Sequence, residues 1–392
     1  MEYFDVSSVA RGIILKRKKL LCVVNVDWFF LSHRLPVFAE AIKNNYEVHI
    51  ATTITDKLTV LQNSGFIVHP LNIHRSRTGL FSVFFEFIQI LSVIRTISPD
   101  IVHLVTIKPV LLGGIAARLV GVSSVVSAVS GLGFVFVSDG KMAFFRRKVV
   151  TFLYRYAFNH KNQRIIFQNK EDLSELIKLT GVSKNKTILI RGSGVDLTLF
   201  KNLPRDDGLP IVMLASRLLI DKGVVEFVDA AKLVNKKFKK GRFVLVGEPD
   251  LMNPAAIKNE QINQWAQREI IENWGYRKDM HNVLVMAEIV VLPSYREGFP
   301  KVLMEASASG CAVVTTDVPG CRDVIKDGFT GLLVPPRNVE KLAAAISMLL
   351  DDTPRRKEMG ANSRERAEKL FDVKDVVSTH IAIYEDLLSK NI

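Results

Sequence analysis

Short apolar runs of strand length alternate with helix-length segments along almost the whole chain, and the scheme occurs twice. Strands joined through helices run parallel, because a crossover is needed to start the next strand at the same edge of a sheet. The sequence therefore predicts an α/β fold with two doubly wound parallel sheets. The predicted strands lie near residues 20–26, 46–52, 66–71, 101–105, 123–129, 163–168 and 186–190, and then near 210–215, 242–247, 282–285, 289–292, 311–315 and 332–334.

The length of the chain agrees with two domains. At 392 residues it is too long for one typical hydrophobic core. The polar stretch 202–210, which contains proline and glycine, is the predicted boundary, so the first domain covers residues 1–201 and the second 202–373. Two helical patterns, near 354–370 and 374–389, end the chain, and residues 374–392 form a separate C-terminal helix.

Two carboxylates, Glu297 and Glu305, flank the step Gly298-Phe299-Pro300 between an apolar strand and a helix. Pro300 suits the first helical position, so the helix dipole and the backbone around Gly298 to Lys301 should face the crevice beyond the strand, where a diphosphate is favoured. Glu305, about one turn inside, could accept hydrogen bonds from a ribose. Glu297 could hold a second polyhydroxyl group. Sugar, diphosphate and ribose in this order make up a nucleotide sugar. Taken alone, two glutamates with this spacing near a helix start are more typical of a solvent-exposed helix end.

The flanking sequence resembles the retaining glycosyltransferases of family 4, which have the GT-B fold. The resemblance is carried by Pro-Ser-Tyr-Arg-Glu-Gly-Phe-Pro (293–300), Glu-Ala-Ser-Ala-Ser-Gly (305–310), Val-Val-Thr-Thr-Asp (313–317) and Gly-Leu-Leu-Val-Pro (331–335). It implies an active site in the cleft between an acceptor-binding first domain and a donor-binding second domain. It also implies that the last helix packs back on the first domain.

Several donor-site residues follow from this resemblance. Arg217 and Lys222, after the first strand of the second domain, match the family's diphosphate-binding pair and would neutralise the leaving nucleotide. Without the resemblance, an Arg and a Lys near a helix start would be interpreted as solvent-exposed surface residues. Gly247 ends a strand where the family's backbone borders the nucleotide. Arg277, in Gly-Tyr-Arg-Lys-Asp (275–279), matches the family's loop that binds the nucleotide base of the donor. The same segment also fits an ordinary helix-to-strand connection. Because there is no Asp-x-Asp motif, neither a metal nor another cofactor is expected.

The first domain supplies the candidates for the acceptor. The loop after the first strand contains Trp28 and departs from the family's Gly-Gly loop, and Ser130 stands where many members have a histidine, so it cannot act as a comparable base. His103 is most simply a buried strand residue. The residues that could hold an acceptor phosphate, or equally be capping or surface residues, are His33, Arg34, Arg75, Lys108 and Ser130.

The net charge of +13 resides in the first half of the chain. Residues 1–195 contain 25 Lys and Arg against 12 Asp and Glu, whereas residues 196–392 contain 28 of each. Such asymmetry points to a polyanionic partner. The segment 131–164 mixes aromatic residues with Arg and Lys, which suits an anionic membrane surface, although the stripe also fits a core helix. No nucleic acid is expected as a partner, because no motif typical of its recognition is present.

The remaining features predict a cytoplasmic protein. Cys22, Cys311 and Cys321 lack metal-ligand spacing and cannot all pair, which fits a reducing compartment. The apolar stretch 80–94 is interrupted by Glu86 and is shorter than the roughly 20 residues of a membrane-spanning helix. We therefore expect a peripheral protein on the inner face of the cytoplasmic membrane.

Three first-domain segments, 33–36, 106–109 and 130–134, resemble bacterial enzymes that extend lipid-diphosphate-linked sugars. The resemblance implies transfer of an N-acetylhexosamine or hexose from a UDP-sugar to a polyprenyl-diphosphate-linked saccharide, as in capsule or lipopolysaccharide biosynthesis. It also implies a same-face route in which the leaving phosphate helps to deprotonate the acceptor. Two alternatives stay open: a nucleotide-sugar epimerase with the same architecture, and a non-catalytic nucleotide-sugar-binding protein.

Overall fold

The computed structural model describes residues 17–73, 79–131, 141–205, 208–236, 240–250 and 253–390. Arg75 and residues 132–140 of the predicted membrane-binding segment lie outside these ranges.

The first domain is built on a seven-stranded sheet in which every pairing between described strands is parallel. Its strands are β1 (Lys18–Val26), β2 (Tyr46–Thr53), β3 (Ile67–Pro70), β4 (Ile101–Val105), β5 (Ser124–Val129), β6 (Gln163–Phe167) and β7 (Thr187–Leu189). The order across the sheet is β3-β2-β1-β4-β5-β6-β7, so the winding reverses between β1 and β4. The helices are α1 (Asp27–His33), α2 (Leu35–Lys43), α3 (Leu58–Asn63), α4 (Leu80–Ile97), α5 (Gly114–Val120), α6 (Lys141–Ala157) and α7 (Lys170–Thr180).

The second domain repeats the plan with six parallel strands in the order β10-β9-β8-β11-β12-β13. The strands are β8 (Ile211–Ala215), β9 (Arg242–Val246), β10 (Glu272–Asn273), β11 (Ile289–Leu292), β12 (Ala312–Thr316) and β13 (Gly331–Val334). The helices are α8 (Val224–Val234), α9 (Asn259–Gln267), α10 (Met280–Leu284), α11 (Lys301–Ala308), α12 (Cys321–Val324), α13 (Val339–Asp351), α14 (Thr353–Leu370) and α15 (Val373–Ser389). Ligands bind at the switch points of such sheets, here between β1 and β4 and between β8 and β11.

One predicted strand is wrong. Residues 280–284 form helix α10 rather than a strand at 282–285. The six-stranded sheet is completed instead by the short edge strand β10, which was not predicted. Val283 and Leu284 are both fully buried in the domain core. Adjacent apolar residues of this kind fit a buried strand and a short buried helix equally well, so periodicity does not separate the two.

Both sheets are covered by helices on both faces, which explains why their strands read as continuous apolar runs. Helix α15 follows the second domain in sequence but packs against α2, β5 and β6 of the first. Its Tyr384 hydroxyl lies 2.6 Å from Nδ1 of His103 in the middle of this interface. Burial lowers the pKa of His103 well below its usual value, so Nδ1 of the neutral ring can accept a hydrogen bond from the tyrosine hydroxyl. His103 is therefore a core residue, as its position in a strand suggested.

No helix within the described ranges is both long enough and apolar enough to cross a membrane. The three cysteines are free thiols and all of them are buried.

Candidate active site

A cavity of about 510 Å³ lies between the two domains, beyond the carboxyl ends of β1, β8 and β10. Both domains contribute to its wall, since Trp28 and His33 come from α1 and the other side chains mainly from the second domain. Helix α1 follows β1 directly, so Trp28 lies on a helix and not in the loop predicted after the first strand. Five of the residues predicted from the sequence line it: His33, Arg217, Arg277, Lys301 and Glu305.

Helix α11 begins at Lys301, one residue later than predicted, with Pro300 as its N-cap. The proline side chain has no oxygen with which to cap the first amides, and proline has no amide of its own. The first amides of the helix thus have no side-chain cap. Lys301 lines the cavity, so the positive end of the helix dipole lies at the cavity wall, where an anionic group is favoured. The Phe299 ring is buried, with its centroid 5.7 Å from that of Phe371, and it does not line the cavity.

Two glycines of the site are required by close approach of the backbone. A Cβ on Gly298 would lie 2.2 Å from the carbonyl oxygen of Ser130, in the first domain. A Cβ on Gly247 would lie 1.9 Å from the carbonyl oxygen of Ser216, and this residue also has a φ of +133°. Gly298 is thus in direct backbone contact with Ser130 of the first domain.

Two polar contacts hold the Gly298 loop against the first domain. Asn169, the N-cap of α7, donates from Nδ2 to the carbonyl of Gly298 at 2.8 Å. Arg296 donates to Oδ1 of Asp172 at 3.0 Å, and the Asp172 side chain is almost completely buried. Burial raises the pKa of Asp172, while hydrogen bonds from Asn169 and the charge of Arg296 oppose that shift. Sequence reasoning missed these residues; Asn169 reads only as an N-cap, and its partner lies 129 positions away.

Lys222 and Glu297 form an ion pair with each other, and the Ser294 hydroxyl donates to the same Glu297 oxygen at 2.7 Å. Lys222 ends a short 3₁₀ turn before Gly223, and both charged side chains are largely buried. The pair is outside the described wall of the cavity. The structure therefore joins these two predicted residues directly, through a contact that the sequence does not indicate.

The other predicted cations of the second domain are also paired with acids. Arg217 donates to Asp250 at 2.7 Å, and Lys301 lies 2.9 Å from Glu305 on the next turn of α11. Arg277 forms two hydrogen bonds with Asp279, which hold the pKa of that carboxyl at about 2. A bound diphosphate would compete with these carboxylates for the same cations.

The first-domain candidates are placed differently from one another. His33 lines the cavity and stacks on Phe29 with ring centroids 4.2 Å apart. Burial, together with the charges of Arg34, Lys301 and Arg217, lowers the pKa of His33 to about 3, so the ring is neutral.

Arg34, by contrast, is only 1% exposed. Its guanidinium points into the core towards Cys22 and Tyr384, so the prediction that it reaches an acceptor phosphate is wrong. Adjacent residues at a helix boundary point in different directions. His33 points to the cavity, whereas the Arg34 side chain packs inside the domain. Lys108 is bound by both oxygens of Glu86, at 3.0 and 2.9 Å, rather than presented as an isolated cation.

Two aromatic side chains at the cavity had no role in the sequence interpretation. The Trp28 ring lies 5.9 Å from the Arg217 guanidinium carbon, and Tyr276 is exposed on the loop that carries Arg277. Both follow strands at their carboxyl ends, and that position is the signal from which they could have been selected.

Two parallel α/β sheets that face each other across a cleft are the architecture of the GT-B class. A family model of glycosyl transferases group 1 matches residues 196–366, and a model described as glycosyl transferase 4-like matches residues 19–169. The chain belongs to this glycosyltransferase family, and the predicted family, fold and enzyme class are confirmed.

Two curated relatives are similar over much of their length. The chain is 29% identical to the N,N'-diacetylbacillosaminyl-diphospho-undecaprenol alpha-1,3-N-acetylgalactosaminyltransferase of Campylobacter jejuni, over 93% of this chain and 99% of the relative. It is 30% identical to the UDP-Gal:alpha-D-GlcNAc-diphosphoundecaprenol alpha-1,3-galactosyltransferase of Escherichia coli, over 64% and 67% of the two chains.

Solved structures share the fold at low identity. Sucrose-phosphate synthase from Thermosynechococcus elongatus superposes with a TM-score of 0.77 at 21% identity, over 95% of this chain and all of the other. Anabaena HepE in complex with UDP-glucose superposes with a TM-score of 0.73 at 19% identity, over 95% and 99% of the two chains.

Proposed function

We propose that the protein transfers a hexose or N-acetylhexosamine from a UDP-sugar to a polyprenyl-diphosphate-linked saccharide, with retention of anomeric configuration. The observation that carries the proposal is the cavity whose second-domain wall combines Arg217, Lys301 and Glu305 while the first domain contributes Trp28 and His33. The two curated relatives, whose names specify undecaprenyl-diphosphate-linked acceptors, support the acceptor class.

The donor would lie along the second-domain wall. Arg217 and the start of α11 would bind the diphosphate and stabilise the charge that develops on the leaving phosphate. Glu305, one turn along α11, would accept hydrogen bonds from the ribose. Glu297 would orient the donor sugar, with Lys222 and Ser294 fixing its carboxylate.

The acceptor hydroxyl would approach from the first domain. His33 is neutral, so it can exchange a hydrogen bond with that hydroxyl, but a pKa of about 3 makes it a weak base. This supports a same-face route in which an oxygen of the leaving diphosphate takes the acceptor proton. The product would be an extended lipid-linked saccharide used for a surface polysaccharide, made on the cytoplasmic side of the membrane by a peripherally bound enzyme.

The proposal is tested by incubating the purified protein with a panel of UDP-sugars, with and without membrane lipid extract, while nucleotide release and lipid product are measured. We expect UDP release that depends on the lipid acceptor. An epimerase would interconvert the sugars without a lipid, and a binding protein would bind UDP without consuming the donor; either result contradicts the proposal.

The role of Glu297 is tested by Glu297→Gln. The amide keeps the shape but loses the charge that holds Lys222 and the sugar hydroxyls, so turnover should fall by about two orders of magnitude while the protein stays folded. Glu340→Gln, an exposed glutamate at the start of α13, is the matched control. Near-normal turnover of Glu297→Gln would refute this assignment.

A further inference from the structure

Helix α4 carries an aromatic stripe that the first domain leaves exposed to solvent. Phe84 and Phe85 each lie three or four residues from both Phe81 and Ile88, so the four side chains share one face of the helix. All four are exposed, Phe81 to 85%. Large apolar side chains clustered in this way are uncommon on a water-facing surface and mark an interaction site.

The stripe continues over the two neighbouring helices. Helix α4 packs against α5, and α5 packs against α6. Leu119 of α5 is 60% exposed and Phe152 of α6 is 67% exposed, and Tyr156 is exposed beside it. The Arg118 guanidinium lies 4.1 Å from the Tyr156 ring centroid and ties α5 to α6. We call this surface, formed by the exposed side chains of α4, α5 and α6, the three-helix face.

The exposed charges on these helices have one sign. The ranges of α4, α5 and α6 contain seven Lys and Arg and a single acid, Glu86. Glu86 is 1% exposed and binds Lys108 through both carboxylate oxygens, so it does not reach the surface. Arg95, Lys148 and Arg155 are exposed. A surface with large apolar side chains and only basic exposed charges is complementary to the anionic headgroups and acyl boundary of a bilayer.

We propose that the three-helix face is the membrane-binding surface of this protein and that its partner is an anionic lipid bilayer. Helix α4 would lie in the plane of the interface, with Phe81, Phe84 and Phe85 among the acyl chains and the basic residues at the phosphates. The assignment rests on the proposed function only in that a lipid-linked acceptor must be met at a membrane.

This surface differs from the segment predicted from the sequence, which covers residues 131–164 and omits α4. Within that segment Tyr154 and Phe158 are buried in the first-domain core, as a core helix requires, whereas Phe152 and Tyr156 are exposed. The predicted segment therefore supplies only part of the face, and α4 supplies its most exposed aromatic side chains.

The proposal is tested by cosedimentation with vesicles of phosphatidylglycerol and phosphatidylcholine, and with vesicles of phosphatidylcholine alone. The double variant F81S/F85S should bind the mixed vesicles at least about tenfold more weakly than wild type, because it removes two inserted aromatic side chains. Phe329→Ser, which removes an exposed phenylalanine of the second domain, is the matched control and should bind as wild type does. Lys148→Glu should weaken binding to the mixed vesicles and leave binding to pure phosphatidylcholine unchanged.

The proposal is overturned if F81S/F85S, folded by circular dichroism, binds the vesicles as tightly as wild type, or if Phe329→Ser loses binding equally. It is also overturned if the wild-type protein is a dimer, F81S/F85S is a monomer, and both bind vesicles equally. The partner of the three-helix face would then be a second copy of the chain.

Failure of the proposed function has a different signature. With a short-chain acceptor in detergent, F81S/F85S should release UDP at the wild-type rate, whereas with acceptor embedded in vesicles its rate should fall about tenfold. Wild-type protein that binds vesicles but releases UDP with neither acceptor would overturn the proposed function and leave the membrane-binding surface standing.

Discussion

Replacing Gly298 by alanine tests whether the contact between the domains at the cleft is that of the working enzyme. The added methyl group would lie 2.2 Å from the Ser130 carbonyl oxygen, and approaches under 3.0 Å essentially never occur. The Gly298 loop and the first domain must therefore separate by about 0.8 Å or more. Since the obstructing atom belongs to the backbone, no side-chain rotation relieves the clash.

The expected cost follows from the geometry of transfer. Displacement of one substrate relative to the other by about 1 Å lowers the rate by about 100-fold, which corresponds to about 2.7 kcal/mol in the activation barrier. Donor binding should change little, because Arg217 and Glu305 belong to the same domain as Gly298 and move with it. The loss should thus appear in kcat, and the Kd for UDP should stay within about threefold of wild type.

The assay is steady-state UDP release with lipid acceptor, together with calorimetric titration of UDP. Gly208→Ala is the matched control, because a Cβ there has no heavy atom within 4 Å. If Gly298→Ala retains the wild-type kcat, the contact between Gly298 and Ser130 is not part of the catalytically competent arrangement. The roles that depend on this arrangement of the two domains would then be refuted.

Three further outcomes are expected. Arg217→Ala should lower kcat by about 100-fold, since one preorganised donor to a developing anion contributes about 2.7 to 4 kcal/mol; unchanged kcat would remove Arg217 from the mechanism. Arg296→Ala should destabilise the protein in urea by about 3 kcal/mol, because buried Asp172 loses the cation that pairs with it while it keeps the hydrogen bond from Asn169, and a second change, Asp172→Asn, should restore part of the loss. Burial lowers the pKa of both His103 and His380, the latter to about 3, so the unfolded chain binds more protons and stability falls as pH drops below about 6.5. His380→Gln should make that decline shallower by about 1.4 kcal/mol per pH unit, and an unchanged slope would show that His380 is not buried as a neutral ring.

The fold was largely predictable because its signals are local. A strand buried on both faces reads as an apolar run whatever surrounds it, and twelve of the thirteen predicted strands are found, as β1 to β9 and β11 to β13. The exception at 282–285 is a short apolar stretch in which local signals for strand and helix are equal. Its assignment depends on packing against the rest of the second-domain core.

The candidate site was predictable only in part. Motif residues such as Arg217 and Glu305 line the cavity because strand ends and helix starts meet at one edge of a parallel sheet. The direction of a side chain at the boundary between two short helices has no such rule. His33 therefore faces the cavity while its neighbour Arg34 is buried, and nothing in the local sequence distinguishes them.

The sequence by itself determined the two-sheet architecture, the glycosyltransferase family and the basic character of the first domain, because periodicity, motifs and charge are properties of neighbouring residues. Only the tertiary structure decided that Gly298 meets Ser130, that Lys222 binds Glu297, and that α4 joins α6 in one exposed face. Those contacts join residues far apart in the chain, and their existence depends on how complete domains pack against each other.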